Sequence, residues 1–344
     1  MMFTHTNNLS RASAPTTAGG RRDLPWAWMA IAALVVLGLL LPARLLNAYY
    51  LGLAIDAVGL AIAGIGIGFL MHQSGLVLFG VAAFVGLPAY LLGITTTHWG
   101  INLSVAVLLA LLGTLLFALL VGALVVRTKP LAFAMLTLAL AQLLKSTMIL
   151  QAARPLTGGD DGLSMVFSGT FLGLTQAELG KPEVFWPLAW CALCVVAFIS
   201  WAVARSRFGQ TLRAIKANEE RMRFSGFNTY VPRLLAFLLA VLLISIAGVL
   251  MGLRAAFVSP EALDFGMGGH SLLAAIIGGP ATVGGPILGA VLYTLGQDFF
   301  GSTGYLELLT GAAVVIMLTA FPQGAMGVVL KAWSWIRVWF AGRR

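Results

Sequence analysis

Charge is what this sequence has least of. Only 10% of its 344 residues are Asp, Glu, Lys or Arg, against about 25% in soluble domains, so most of its surface is not made to face water. His5, His72, His98 and His270 are the four histidines, and they stand too far apart to make a metal site by spacing. Cys191 and Cys194 are the two cysteines. They form a C-x-x-C inside an apolar run and, with no second pair, read as small apolar residues on a buried helix rather than as a redox or zinc pair. Hydrolytic motifs are missing too: there is no H-E-x-x-H, no G-x-S-x-G and no carboxylates paired for general acid–base work. The glycine-rich run 278–286 lacks the Lys-Ser/Thr ending of a phosphate-binding loop, which excludes an ATP site of that kind. No catalytic residue, metal or resident cofactor is expected, and any energy consumed must come from another subunit.

What is present is hydrocarbon. The chain is 60% hydrophobic, with a mean hydropathy of +0.95. Runs of about 20 apolar residues are long enough to cross roughly 30 Å of bilayer as helices. Such runs cover 25–41, 50–71, 76–94, 101–126, 131–151, 186–204, 234–253 and 306–321, and a glycine-broken run covers 269–299. The expected fold is all-α: a polytopic helical membrane protein of eight to ten transmembrane helices. Gly278-Gly279-Pro280 and Gly284-Gly285-Pro286 interrupt the segment 269–299, leaving a re-entrant hairpin or two short tilted spans. Residues 1–24 read as a disordered tail and 25–326 as the membrane domain, with 25–41 an uncleaved first span. Residues 327–344 mix tryptophans with cations and read as an amphipathic tail at headgroup level.

The net charge is +9. No groove-reading motif accompanies it, so nucleic acid is not an expected partner; the lipid bilayer is. Alternating the spans from a cytoplasmic N-terminus puts 16 of the 21 basic residues inside, and only Arg44, Arg154, Lys181 and Arg254 outside. Lys and Arg set orientation, so both termini are expected in the cytoplasm and the loops 152–185 and 254–268 outside. The first of these loops carries a flexible acidic motif, Thr157, Gly158, Gly159, Asp160, Asp161 and Gly162, followed by an apolar stretch from Met165 to Leu174 that is expected to fold onto the membrane face.

One polar segment with helical spacing breaks the pattern. Residues 205–233 hold seven of the 21 basic residues, against Glu219 and Glu220. Leu212, Ile215 and Met222 give a modest apolar stripe, with Gly209 before it and Gly226 as a helix stop. Two readings remain open from the residues: a basic helix lying on anionic lipid, or a short helix seated in a groove of a cytosolic partner.

Glycine, with 40 copies, points to a path. Gly64, Gly66 and Gly68 crowd one span, and Gly278, Gly279, Gly284, Gly285 and Pro286 break a later one. The plain reading is close helix packing by small residues. The sharper one is a translocation path through broken helices, one in each half of the chain. Of the ionisable groups in spans, Asp56 lies near an end, and Lys145, beside Gln142, can snorkel outward. A proton relay wants several acids along one face, and these spans have one.

Arg-Phe-Gly-Gln-Thr-Leu-Arg-Ala-Ile-Lys-Ala-Asn-Glu-Glu-Arg (207–221), followed by Gly226-Phe227-Asn228, resembles the cytoplasmic loop of LivM-type permeases, the membrane subunits of branched-chain amino acid ABC importers. The resemblance continues through 133–139, the 157–163 motif, Val258-Ser259-Pro260, 278–290 and Phe321-Pro322-Gln323-Gly324. It implies a permease of a bacterial inner membrane that is not itself an enzyme. It also implies a second permease subunit, two ATP-binding subunits carrying ATP-Mg and a periplasmic substrate-binding protein. The loop is then a coupling helix, with Gly209, Arg213, Lys216, Asn218, Glu219, Glu220, Arg223 and Gly226 as its contact residues. Glu220 and Gly226 are similar to the Glu and Gly of the importer coupling motif, with Arg221 and Met222 in place of its alanines. One departure stands out: where the family reads Gly-Gln-Leu-Ser-Leu-Gly-His-Ala, this chain reads Gly75-Leu76-Val77-Leu78-Phe79-Gly80-Val81-Ala82. That leaves a hydrophobic amino acid, urea, a short-chain amide or an aromatic acid as the cargo. The alternative of another class is a self-sufficient secondary carrier or channel.

Overall fold

The computed structural model describes residues 46–301 continuously, together with 36–40, 42, 44, 308, 311, 312, 315, 319, 324–328 and 331. The expected tails 1–24 and 327–344 and the spans 25–41 and 306–321 lie wholly or largely outside the described residues. The main helices are α1 (Ala48–Gln73), α2 (Val81–Thr97), α3 (Leu103–Val125), α4 (Pro130–Ile149) and α5 (Pro182–Arg205). They continue with α6 (Arg207–Ala217), α7 (Glu219–Phe224), α8 (Tyr230–Ala255), α9 (Phe265–Gly278) and α10 (Gly284–Phe300). Five of these (α1, α3, α4, α5 and α8) are long and apolar enough to cross a membrane, and α2 and α9 are shorter apolar helices. This is a polytopic helical membrane protein. Among the described residues two short strands, β1 (Leu163–Ser164) and β2 (Phe257–Val258), pair antiparallel and tie the 152–185 loop to the segment after α8.

Helix α1 is the centre. It packs against α5, α8, α9 and α10, and all ten residues from Ala61 to Leu70 are buried. The surrounding helices turn their small residues inward. On α3, Ala106, Ala110, Thr114, Ala118 and Gly122 recur every fourth position and are buried, while Leu108, Leu112, Leu116, Leu120 and Leu124 stand exposed. A water-soluble helix would do the reverse. In hydrocarbon a leucine gains little by turning inward, whereas a stripe of small residues lets backbones approach, so packing decides the rotation.

The span expected at 76–94 begins later. Residues 75–80 are irregular and non-helical, with Gly75 at positive φ, and helix α2 starts only at Val81. Leu76 and Leu78 are fully buried. Irregular backbone at this depth requires partners other than lipid. They are hydroxyls: Leu76 N–H donates to Ser74 Oγ at 3.4 Å and Gly80 N–H to Thr137 Oγ1 at 3.4 Å. A Cβ on Gly80 would lie 2.0 Å from the Thr137 carbonyl oxygen, so only glycine fits there. The apolar residues 76–79, which depart from the family pattern, are thus core of this buried link.

The run 269–299 resolves into α9 and α10, which pack side by side. Asp298 near the end of α10 accepts a hydrogen bond from Tyr49 at the start of α1. The turn at Pro280–Val283 lines a small cavity with His72 and Gln73 at the far end of α1. The pair therefore lies along the central helix, with its turn at the His72 end and the end of α10 beside Tyr49. Their contact is backbone on backbone. A Cβ on Gly278 would sit 1.8 Å from the Gly285 carbonyl oxygen, and one on Gly289 would sit 1.9 Å from that of Ala274.

Overpacking such a contact costs about 1–3 kcal/mol. Gly278→Ala and Gly289→Ala are expected to lower the thermal unfolding midpoint of the detergent-solubilised protein clearly. Gly296→Ala, where an added Cβ meets nothing within 4 Å, should leave it unchanged or slightly raised. Equal midpoints for all three would refute the seam.

Candidate functional site

The polar segment 205–233 is not one helix but two, hinged at Asn218, whose backbone is extended (φ −160°, ψ 99°). Ser206 caps α6 by accepting from Gly209 N–H, and Asn218 caps α7 by accepting from Arg221 N–H. Each donor that would otherwise be orphaned at a helix start is met by a short polar side chain. Leu212 and Ile215 bury the inner face of α6; Met222, on α7, is half-buried.

The residues grouped as coupling contacts divide into two sets. Lys216 Nζ donates to the carbonyls of Met71 (3.1 Å) and His72 (2.9 Å), which caps the end of α1. Arg213 donates to Ala204 O at 3.1 Å and to Gln73 Oε1 at 3.4 Å, bridging the ends of α5 and α1. Cations belong at helix C-termini, where unpaired carbonyls carry partial negative charge. Gly209 is equally internal, since its added Cβ would meet the carbonyls of Val203 and Ala204 at 2.6 Å.

Glu219 holds the other side of the hinge. It pairs with Arg223 at 3.0 Å and with Arg233 at 2.7 Å, and it accepts from Thr229 Oγ1 at 3.2 Å. Arg233 is buried at the start of α8. Arg213, Lys216, Glu219, Arg223 and Gly209 thus clamp the segment onto the helix ends.

The outward set is different. Glu220 is exposed, as are Arg221 and Gly226. Phe224 is 91% exposed and Phe227 57% exposed. These two aromatics were not singled out from the sequence. The available signal was a pair of phenylalanines three apart inside an otherwise polar, basic segment, where neither has a core to enter.

The glycines grouped as a path meet at one seam, with one exception. An added Cβ on Gly64 would lie 3.2 Å from Pro286 Cβ, and one on Gly68 would lie 3.3 Å from Pro286 Cγ. Gly66 faces the opposite way, onto Ile244 of α8 at 2.7 Å. None of the three breaks α1, which is continuous; the helix break in this half of the chain is at 75–80. Gly278, Gly279 and Gly285 interlock with one another, Gly284 abuts Met326, and Gly324 closes on Gly278 and Gly279.

Two cavities flank this seam. The smaller, about 50 Å³, lies at the end carrying His72, Gln73, Ala204 and the Pro280–Val283 turn. The larger, about 410 Å³, lies toward the end carrying β2 and is walled mainly by apolar residues of α1, α2, α8 and α9. Asp56 and Arg254 form an ion pair on its wall. Lys145, expected to snorkel, instead binds Asp264 at 2.8 Å and anchors the start of α9 to α4. That hydrogen bond holds the Asp264 carboxyl below its ordinary range. Its stabilising effect is present at neutral pH and is lost as pH falls through the depressed value.

At the same end Thr157, Gly158, Gly159, Asp160 and Gly162 form a compact turn. Thr157 Oγ1 donates to Met148 O at 2.7 Å, and the three glycines all have positive φ. Asp160 is exposed, and Asp161 pairs with Arg154 at 3.0 Å. Met165 and Phe167 are buried, with Val166 and Leu172 exposed, so the following stretch covers the bundle with alternate residues. Cys191 is exposed on α5, not buried as expected. Among the described residues no group of three or more His, Cys, Asp or Glu is placed to hold a metal.

Removing one partner of a buried pair leaves the other charge uncompensated. Glu219→Gln is therefore expected to destabilise the chain by up to about 3 kcal/mol through Arg233. Glu220→Gln should be within about 0.5 kcal/mol of neutral. Thermal unfolding of the two variants side by side separates them, and equal losses would contradict the clamp.

Comparison with known proteins agrees with this architecture. The family model described as "Branched-chain amino acid transport system / permease component" matches residues 49–321. The high-affinity branched-chain amino acid transport system permease protein LivM of Salmonella typhimurium is 24% identical over 286 residues, covering 77% of this chain and 67% of that one. LivM of Escherichia coli strain K12 matches to the same extent. The autoinducer 2 import system permease protein LsrC of Escherichia coli O9:H4 is 29% identical over 119 residues, covering 33% of this chain and 34% of its own. No solved structure matches. With its central helix, its glycine seam and a family match across nearly the whole described bundle, the chain belongs to the branched-chain amino acid transport system permease component family.

Proposed function

We propose that this chain is the membrane-spanning subunit of an ATP-driven importer that passes branched-chain or other hydrophobic amino acids into the cytoplasm. ATP is hydrolysed on two partner subunits, a second permease subunit completes the pathway, and a periplasmic binding protein delivers the cargo. The observation that carries the reading is the two-sided segment 207–227. Its inner face is locked to the ends of α1, α5 and α8, while its outer face presents Glu220, Arg221, Phe224 and Phe227. A rigid clamp with exposed aromatics transmits a push from a docked partner to three membrane helices at once. Aromatic side chains in a partner's pocket are the usual anchors of such contacts.

In this reading the 205–233 end lies in the cytoplasm, following its cluster of basic residues. The acidic end, with Asp160, Asp161, Glu178 and Glu261 near the β1–β2 pairing, receives the binding protein. The glycine seam, with Gly64 and Gly68 against Pro286, separates the large outer cavity from the small inner one and is the place where the path opens. The amino-acid cargo is favoured over the autoinducer 2 cargo of LsrC because the LivM similarity runs through 77% of this chain and the LsrC similarity through 33%.

Phe224→Ala combined with Phe227→Ala is expected to reduce amino-acid uptake by cells at least about tenfold, the loss of one to two kcal/mol of docking energy. Abundance in the membrane and thermal stability should remain as before, because neither ring touches the core. Reversing Arg213 or Lys216 is a poorer probe, since it unseats the helix ends as well. Unchanged uptake in the double alanine variant would sink the coupling role. Uptake by the purified chain alone in liposomes under an ion gradient would favour a self-sufficient carrier.

A further inference from the structure

We infer that Asp56 and Arg254 form a site for the zwitterionic head group of an amino acid in the wall of the large outer cavity. This rests on the amino-acid reading above and deepens it, since it gives the membrane subunit a selectivity of its own. Asp56 belongs to α1 and Arg254 to α8, and the guanidinium Nη1 donates to the carboxylate Oδ1. Both side chains keep surface open, 54% for Asp56 and 27% for Arg254, and both line the cavity of about 410 Å³. That volume is in the range of small-molecule sites. The guanidinium lies along α1, where an added Cβ on Gly52 would come within 3.2 Å of Nη2. Glycine leaves the space the guanidinium occupies.

Most of the remaining wall is apolar, with Ile55, Leu60, Val85, Phe185 and Met251 facing the same space. Two further titratable groups share it: Glu261, which is exposed, and His270, whose ring lies tilted against that of Tyr293 with centroids 5.5 Å apart. Ionisable residues inside a membrane domain are expensive and mark a pathway by default. As a tie between helices, an ion pair gains little over two apolar side chains. As a recognition site it has a specific property. A cation that binds Asp56 strands Arg254, and an anion that binds Arg254 strands Asp56. A zwitterion replaces both partners together: its carboxylate takes the guanidinium, in the two-toothed geometry that arginine favours, and its ammonium takes the carboxylate. Net charge in the cavity is unchanged. The apolar wall is then left to receive a hydrocarbon side chain.

The test uses the full-length chain with its membrane and ATPase partners in nanodiscs, together with uptake by intact cells. The probes are L-leucine, 4-methylpentanoate (no ammonium) and isopentylamine (no carboxylate). For the unmodified complex, only leucine is expected to raise the unfolding midpoint. With Asp56→Asn that shift should pass to 4-methylpentanoate, and with Arg254→Gln to isopentylamine, while leucine uptake falls about tenfold in each. Loss of leucine response without the switch in preference would mean a structural tie and would overturn the inference. Should the single variants not accumulate, the neutral pair Asp56→Asn with Arg254→Gln leaves no stranded charge. Leucine uptake by that variant within twofold of the original refutes the site, and a tenfold loss supports it. Equal shifts by all three probes in the unmodified complex also refute it. Failure of the unmodified complex to take up any zwitterionic amino acid would remove the amino-acid reading itself, and the inference with it.

Discussion

Close approach of backbones around α1 is the constraint on which the rest of this structure depends. Helices already surrounded by hydrocarbon gain no hydrophobic free energy by meeting, so association must come from dispersion and from hydrogen bonds at short range. Glycine and alanine permit that range and larger residues forbid it. The consequence appears three times: in the Ala-Thr-Gly stripe of α3, in Gly248 of α8, where a Cβ would lie 2.1 Å from Val85 O, and in the interlocked Gly278, Gly285 and Gly289. A seam made of backbone has no side chains to repack, so it is tight when closed and shifts as a unit.

The polar groups follow from the same constraint. At the end of α1 the carbonyls of Met71 and His72 lack intrahelical partners and take Lys216 Nζ, while Arg213 ties the Gln73 side chain to the Ala204 carbonyl of α5. The 205–233 segment is therefore fastened to the bundle before any partner is considered. What remains free on its outer surface, Glu220, Arg221, Phe224 and Phe227, is what the fold leaves available for contact. Clamp and contact are opposite faces of one short pair of helices, and the Asn218 hinge sets the angle between them.

Much of this was legible in the residues. Six of the expected spans reappear within a few residues, because a run of about 20 apolar positions has few other options in a membrane protein. The break near 279–283 was legible in its glycines and prolines. The break at 75–80 was missed, since Leu76, Val77, Leu78 and Phe79 are as apolar as the helix they interrupt, and only Gly75 and Gly80 hint at it. Gly64, Gly66 and Gly68 suggested a break where none exists; the small residues there serve neighbours, not a bend. The residues grouped as coupling contacts lie in one segment but divide between an inward and an outward set, because a one-dimensional pattern does not show which cations turn inward.

By itself, the sequence determined that the chain lives in a membrane, roughly where it crosses and which loop is basic, because hydropathy and charge are properties of single residues summed over short windows. Tertiary structure alone decided that Lys216 caps α1, that Glu219 pairs with Arg233 and that Asp56 meets Arg254 across 198 residues. Those pairings depend on which helices stand side by side and at what rotation. That choice is made by the interlocking of small residues across the whole bundle, which no local stretch of residues encodes.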